Sequence, residues 1–222
     1  MKVVKAAEGE TYDVELAVDL LKENEKIAEE NRALLKKKGV VAVDIMGSIG
    51  TGKTSLIEKL VGELKGKYRI AAFKGDLTTT IDAEIIEKHG VQTVAINTGK
   101  ECHLDANLVK KALNQLDLDT LDLILIENVG NLICPAEFSL GSEKRIVVIS
   151  VTEGPYMVVK HPFIFFDADV VVINKIDLAQ AMGVDINKLE ADVKRINPKA
   201  TVVAANCRSG KGIPTIMESL GL

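Results

Sequence analysis

A run of glycines and small polar residues, GSIGTGKT at residues 47–54, follows a β-branched apolar segment and leads into a helical pattern. It fits G-x-x-x-x-G-K-[ST], whose glycines let successive backbone N–H groups face one concavity at a helix N-terminus. We expect this concavity to bind nucleotide phosphates, Lys53 to neutralise the β- and γ-phosphates, and the Thr54 hydroxyl to ligate Mg²⁺. The alternative is a glycine-rich turn that binds nothing, and the flanking strand and helix argue against it. The predicted nucleotide-binding residues of this loop are Gly47, Ser48, Gly50, Thr51, Gly52, Lys53, Thr54 and Ser55.

The segment VVVINKIDL ends a predicted strand with Asn174, Lys175 and Asp177. A carboxylate at Asp177 can accept both the N1–H and the N2–H₂ of guanine, a pair of donors that adenine lacks. Such a site rejects an analogue without the matching groups by about 10⁴-fold or more. Asn and Asp after a strand are also ordinary turn residues, but the position of this segment on a later strand than the phosphate loop favours a guanine site. We expect the segment ANCRSGKGI to close over the base with three residues, Asn206, Cys207 and Arg208.

Two further segments are placed to respond to a γ-phosphate. LDLILIENVG ends a strand at Glu127, an acid expected near Mg²⁺, and reaches Gly130, whose N–H could meet the γ-phosphate. Asp76 and Thr79 follow the second predicted strand and could form the other switch, although Asp76 could equally cap a helix. No glutamine follows Gly130 to orient water, so we expect slow hydrolysis. The candidate catalytic residues are Lys53, Asp76 and Glu127, and the candidate Mg²⁺ ligands are Thr54, Asp76 and Glu127.

Two cysteines and a histidine have no role in nucleotide binding. Cys102 and His103 lie in NTGKECHLDA and Cys134 lies in ENVGNLICP, and both segments follow predicted strands of one sheet. Thiolate and imidazole ligands together suit Zn²⁺ or Ni²⁺. Spacing alone favours a simpler interpretation, in which the cysteines are small buried hydrophobic residues and the histidine caps a helix.

Short β-branched runs alternate with helical patterns along the chain, which predicts an α/β fold of the P-loop NTPase type with a mostly parallel sheet flanked by helices. An amphipathic helix over residues 13–37 precedes it. We expect residues 1–38 to form a helical extension packed on or beside a GTPase domain of residues 39–222. The predicted strands lie near 40–46, 69–74, 92–97, 121–127, 145–151, 169–174 and 200–205, and the later helices near 53–64, 81–89, 104–116, 187–196 and 212–220.

Composition excludes several classes of function. The 222 residues are 47% hydrophobic and 27% charged, and the formal net charge of −4 gives no electrostatic footprint for nucleic acid or an anionic membrane, which would need a basic face. The N-terminus has no signal-peptide pattern, and acidic residues interrupt every apolar run. Three cysteines are too few for a disulfide framework and suit a reducing cytoplasm.

Several of these segments together closely resemble the hydrogenase maturation nickel-incorporation GTPases, the HypB family. The resemblance runs from roughly residue 13 to the end of the chain, and its most specific parts are ECHLDA and NLICP. It implies that Cys102, His103 and Cys134 form a zinc or nickel site, and it makes that interpretation the preferred one. It also implies GTP-dependent homodimerisation and nickel delivery to the hydrogenase large subunit, together with other maturation factors. The segments that carry the resemblance are NEKIAEENRALL, GSIGTGKT, NTGKECHLDA, ENVGNLICP, SVTEG and NKIDL.

Ile49 and the segment PYMVVKHP depart from the family pattern. Ile49 replaces a proline common in relatives, at a position that contributes backbone rather than side chain. The segment PYMVVKHP is less charged than expected, which leaves open whether Lys160 contacts nucleotide across a dimer.

We therefore predict a slow, Mg²⁺-dependent GTPase that acts as a metallochaperone for [NiFe]-hydrogenase. One alternative is a small-molecule kinase, against which NKID argues, and another is a GTP-switched scaffold whose zinc is structural. An accessory GTPase that serves urease is the nearest competitor of the same class.

Overall fold

A computed structural model describes residues 14–76, 81–99 and 101–222. Within these ranges the chain forms one seven-stranded sheet in the order β3-β2-β4-β1-β5-β6-β7, and every strand pairing is parallel. This confirms the predicted fold class. Thr79 lies outside the described residues. The strands are β1 Val41–Met46, β2 Ile70–Asp76, β3 Gln92–Asn97, β4 Leu123–Glu127, β5 Lys144–Ser150, β6 Val170–Asn174 and β7 Thr201–Ala204.

Helices connect successive strands, as parallel pairing requires. The helix predicted over 104–116 spans Ala106–Leu113, and it begins later than predicted because the Asp105 side chain caps it by accepting from the Leu108 amide at 2.7 Å. The helices α5 and α6 span about one turn each and were not predicted, since a single turn has no periodicity to detect. The helices are α1 Val14–Lys38, α2 Lys53–Leu64, α3 Ile81–Glu87, α4 Ala106–Leu113, α5 Cys134–Glu137, α6 Met157–Lys160, α7 Ile186–Ile196 and α8 Ile213–Leu220.

The central strands are buried on both faces, which is why they appear in the sequence as continuous apolar runs. Alternate residues of β1 point to opposite sides: Val43 and Ile45 pack with residues of α2 and α8, whereas Ala42 packs with residues of α1 and α4. Near β5 and β6 the second face is covered by α7. None of the described helices is both long and apolar enough to cross a membrane.

All-parallel pairing has one consequence for function. The carboxyl ends of neighbouring strands lie at the same edge of the sheet, so the loops after β2, β4, β1, β5 and β6 emerge side by side in that order. The register is fixed by residue pairs such as Ala71 with Ile124 and Val43 with Leu125. The site is therefore built from segments far apart in sequence.

Candidate functional site

The phosphate loop connects β1 to α2 and requires glycine at two positions. Gly47 has a φ of 145° and Gly52 a φ of 103°, in the left-handed range that side chains disfavour. A Cβ on Gly47 would lie 2.1 Å from the Val148 carbonyl oxygen, and one on Gly52 would lie 2.3 Å from Asn174 Nδ2. Inside the loop, buried Lys53 donates from Nζ to the carbonyl oxygens of Gly47 and Ser48, both at 2.9 Å. The ammonium group of Lys53, which was predicted to neutralise the phosphates, thus lies against the concave loop that the glycines form.

A buried ion pair lies beside the start of α2. The Thr54 hydroxyl is 3.0 and 3.1 Å from the two carboxylate oxygens of Glu127, and Lys74 Nζ is 2.5 Å from Glu127 Oε1. The pairing of β2 with β4 places Lys74 directly opposite Glu127, and their side chains are 7% and 2% exposed. Lys74 was not predicted as a site residue, although a lysine within the apolar strand IAAFKGD was a detectable signal.

These groups line a cavity of about 490 Å³, a size typical of ligand sites. Asp76, the last residue of β2, and Gly130 contribute to its wall, so the structure brings one residue from each of the two predicted switches to the phosphate loop. Gly130 lies so close to the loop that an added Cβ would be 2.4 Å from Ile49 Cγ1 and 3.0 Å from the Ile49 nitrogen. Any rearrangement around Gly130 therefore acts on the loop directly.

The segment after β6 is fastened to the phosphate loop. Buried Asn174 donates to the Thr51 carbonyl at 2.7 Å and accepts from the Cys207 amide at 2.9 Å. Lys175 adopts a left-handed backbone with φ 59° and donates from Nζ to the Gly50 carbonyl at 2.6 Å. Asp177 follows in a short 3₁₀ turn with its carboxylate exposed.

The loop after β7 contributes less than its residue types suggested. The Cys207 side chain is buried in the hydrophobic core, and this burial raises the pKa of its thiol to about 11. The predicted contact from Cys207 to a base can therefore involve only its backbone. Asn206 holds the loop turn, accepting from the Ser209 amide at 3.1 Å, and Arg208 is exposed.

The three predicted soft-metal ligands come together. One ligand atom from each of Cys102, His103 and Cys134 lies within 4.8 Å of the others, and the two sulfurs are 3.0 Å apart. The His103 ring packs on Phe138 with centroids 3.9 Å apart, and burial lowers the pKa of His103. Burial and the neighbouring Cys102 thiol raise the pKa of Cys134. Neither cysteine is buried, which disfavours the interpretation as small core residues.

Buried Asn128 connects the two segments that carry these ligands. Its Oδ1 accepts from the Leu104 amide at 3.1 Å and from the Val129 amide at 3.0 Å, and its Nδ2 donates to Asp44 Oδ1 at 3.2 Å. Burial raises the pKa of Asp44 to about 6, and Arg145 lies 3.7 Å from its other oxygen. Asn128 was not predicted, because an asparagine after a strand is an ordinary turn residue.

The segment SVTEG after β5 also reaches the phosphate loop. Glu153 accepts from the Ser48 hydroxyl at 2.5 Å and from the Ser150 amide at 2.8 Å, and it completes a capping box with Ser150. Lys160, at the end of α6, is exposed and does not line the cavity.

Known proteins of similar sequence and similar structure indicate one family for this chain. Residues 41–204 match the family model of the CobW/HypB/UreG nucleotide-binding domain. A probable hydrogenase maturation factor HypB from Methanocaldococcus jannaschii is 58% identical over 205 residues, covering 92% of this chain and 93% of that protein. The crystal structure of HypB from Archaeoglobus fulgidus, 46% identical, has a TM-score of 0.84 and covers 90% of this chain and 98% of that one.

A second solved structure is HypB from Helicobacter pylori in complex with nickel. It is 33% identical, has a TM-score of 0.84, and covers 89% of this chain and 93% of that one. These matches confirm the resemblance found in the sequence. The chain belongs to the CobW/HypB/UreG nucleotide-binding family and, within it, to the HypB hydrogenase maturation factors.

Proposed function

We propose that the protein hydrolyses GTP to GDP and phosphate and couples nucleotide state to nickel delivery during the maturation of [NiFe]-hydrogenase. One observation carries the coupling: the candidate metal ligand Cys134 is four residues past Gly130, which itself contacts the phosphate loop at Ile49. A change at the γ-phosphate has one short segment to cross before it reaches a metal ligand. The family membership and the nickel complex of the Helicobacter pylori protein support the choice of cargo.

Residues of the phosphate loop and β4 fit a Mg²⁺-nucleotide. Hydroxyl and carboxylate oxygens are the ligands that Mg²⁺ prefers, and those of Thr54 and Glu127 lie 3.0 and 3.1 Å apart in the cavity. We assign Thr54, Glu127 and Asp76 to Mg²⁺, which when bound would stabilise charge on the phosphates. Lys53 would exchange its carbonyl partners for the β- and γ-phosphates, and the backbone amides of residues 47–55 would hold the remaining oxygens.

We assign base selection to Asp177, whose exposed carboxylate is free to accept the two guanine donors. Asn174 and Lys175 support it by fixing the segment to Thr51 and Gly50, and Asn206 with Arg208 would flank the base. In this assignment residues 174–177, which select the base, and the phosphate loop move as one unit.

Two thiolates and one imidazole fit Ni²⁺ or Zn²⁺, and three protein ligands leave one position for water or for a ligand from a second copy. We propose that GTP draws two copies together and that the homodimer passes nickel to the hydrogenase large subunit with other maturation factors. Residues 39–222 would act as the GTPase domain, with α1 as its helical extension, and residues 1–13 of the predicted extension lie outside the described residues.

The test is to measure metal affinity and molecular mass on the same samples, with a GTP analogue or GDP bound, for the wild-type protein and Cys134→Ser. We expect nickel and zinc affinities and mass to differ between the nucleotide states of the wild-type protein. Cys134→Ser should lose metal and keep GDP affinity. Equal metal affinity and equal mass in both nucleotide states would instead support a structural zinc site.

A further inference from the structure

Two asparagines of α1, Asn24 and Asn31, lie seven residues apart and so share one face of the helix. Both are buried, with 7% and 1% exposed. Buried polar side chains require hydrogen-bond partners, and a broken buried bond costs about 1–3 kcal/mol. The partners of these two side chains therefore show what α1 holds in place.

Both asparagines bond to the same two backbone segments. Asn24 accepts from the Ala106 amide at 2.8 Å and donates to the Ser139 carbonyl at 2.9 Å. Asn31 donates to the Ala106 carbonyl at 2.8 Å and to the Leu140 carbonyl at 3.1 Å. Each asparagine thus bridges the start of α4 to the chain around residues 139–140.

These two segments are the continuations of the candidate metal-binding segments. Ala106 comes three residues after His103, and Ser139 comes five residues after Cys134. Phe138, directly before Ser139, packs on the His103 ring. The asparagines consequently fix the distance between the Cys102–His103 segment and the Cys134 segment, in addition to the bonds that Asn128 makes.

A close backbone approach reinforces this arrangement. Gly141 has a φ of 85°, and a Cβ there would lie 2.3 Å from the Ala28 carbonyl oxygen and 2.8 Å from Asn31 Cβ. The chain after Cys134 therefore rests directly on α1, with no room for a side chain between them.

We propose that α1 is a positioning element of the metal site, in which Asn24 and Asn31 hold the two ligand-bearing segments at the separation that metal binding requires. This inference rests on the proposed metal function of Cys102, His103 and Cys134. Removal of groups that orient metal ligands typically costs about 10- to 100-fold in affinity. Nucleotide binding should be insensitive to the same change, because neither asparagine contacts the phosphate loop.

The experiment titrates Ni²⁺ or Zn²⁺ alone into the full chain. We expect Asn31→Ala to bind metal about tenfold or more weakly, with GDP affinity unchanged. Asn24→Asp keeps the size of the side chain, and its carboxylate can still accept from the Ala106 amide but cannot donate to the Ser139 carbonyl. The matched control is Glu30→Ala, which removes the 2.7 Å ion pair of Glu30 with Lys110 between α1 and α4 and touches neither ligand-bearing segment. Its metal affinity should equal that of the wild-type protein.

A second readout needs no metal. Phenylarsine oxide bridges two neighbouring thiols as a dithioarsenite and releases one water, and the Cys102 and Cys134 sulfurs are 3.0 Å apart. The buried Cys207 thiol is not accessible to this reagent. We expect slower bridging in Asn31→Ala and Asn24→Asp than in Glu30→Ala, at temperatures where circular dichroism shows all three folded.

The outcomes separate this inference from the proposed function. If Cys134→Ser binds metal as well as the wild-type protein, the proposed metal site fails. If Cys134→Ser loses metal while Asn31→Ala and Asn24→Asp match Glu30→Ala in metal affinity and bridging rate, the positioning role of α1 is overturned. A loss of metal affinity and of bridging rate in the asparagine variants alone supports it.

Discussion

At the scale of single residues, the cavity beside the phosphate loop contains more charged residues than the sequence motifs predict. Lys53 and Thr54 belong to the motif, but Lys74 enters from β2 and forms a buried ion pair with Glu127. Removing one member of a buried pair leaves an uncompensated charge, which typically costs about 3–5 kcal/mol. Lys74 therefore neutralises the carboxylate that we assign to Mg²⁺, and a bound Mg²⁺ could replace it in that role.

This predicts a Mg²⁺-dependent rescue. Lys74→Met should lower the free energy of unfolding by about 3 kcal/mol in EDTA, because Glu127 stays buried without a cation. Mg²⁺ with GDP should restore more stability to this variant than to the wild-type protein, since ligands stabilise the state they bind. Denaturant unfolding with and without Mg²⁺-GDP measures both effects. The exposed Lys67→Met is the control, and an equal gain in both variants would contradict the role of Lys74.

At the scale of elements, parallel strands place a switch glycine against the phosphate loop. Gly130 follows β4 and meets Ile49, which follows β1, and these strands are neighbours in the sheet. This close approach involves both the loop after β1 and the loop after β4. A change in either loop near Gly130 must therefore displace the other loop.

Gly130→Ala should therefore weaken nucleotide binding. The added methyl group would lie 2.4 Å from Ile49 Cγ1 and 3.0 Å from the Ile49 nitrogen, so the phosphate loop must shift. We expect GDP affinity to fall about tenfold, since displacements on the order of 1 Å can cost a factor of about 100 in positioned sites. Gly62→Ala is the control, because nothing lies within 4 Å of its added Cβ on α2. Equal GDP affinities of the two variants, measured calorimetrically, would show that the loop tolerates the contact.

A buried carboxylate in β1 predicts a pH dependence of stability. Burial raises the pKa of Asp44 to about 6, above its ordinary value of 3.8, so the folded protein binds a proton that the unfolded chain releases between these values. Stability should therefore fall as the pH rises from about 4 through 6, by up to about 3 kcal/mol. Asp44→Asn cannot ionise, so the difference in unfolding free energy between this variant and the wild-type protein should shift by that amount between pH 4 and pH 7. A difference that stays constant with pH would refute the assignment to Asp44.

At the scale of the whole molecule, the two candidate sites lie at one edge of the sheet. The segment from Glu127 to Cys134 contributes to both, because Glu127 and Gly130 line the nucleotide cavity and Cys134 belongs to the candidate metal cluster. Asn128 joins this segment to the loop after β3. The two candidate sites are thus parts of one connected structure, and α1 supports the metal side of it through Asn24 and Asn31.

Coupling between the two sites must be reciprocal. If GTP changes nickel affinity by some factor relative to GDP, nickel must change the preference for GTP over GDP by the same factor, because both measure one coupling free energy. We expect that factor to lie between about 5 and 150, the usual range for linked sites. Nickel titrations with each nucleotide, and nucleotide competition with and without nickel, give the two values independently. A factor of one in both experiments would show that the sites are energetically separate.

The sequence alone predicted those features of the protein that depend on a local pattern of residues. The strands lie within two residues of their predicted bounds, because apolar β-branched runs report burial on both faces of a parallel sheet. The glycine-rich loop lies between β1 and α2 where it was predicted, because glycine spacing and a following lysine express a local backbone requirement. The family followed from short, specific segments, and the same segments carry the three candidate soft-metal ligands, which the structure brings within 4.8 Å of one another.

Contacts between segments distant in sequence were decided by the tertiary structure alone. The Lys74–Glu127 pair depends on the register of β2 against β4, and neither strand alone encodes that register. Cys207 was predicted in the loop that closes over the base, and only the structure shows that its side chain packs in the core, because the direction of that side chain depends on how the loop after β7 is held by Asn174. The asparagines of α1 lie in an ordinary amphipathic pattern, and only the packed fold shows that they form hydrogen bonds with the continuations of the two ligand-bearing segments. Local periodicity fixes the elements of this protein, whereas its polar network depends on which buried groups meet once the sheet is assembled.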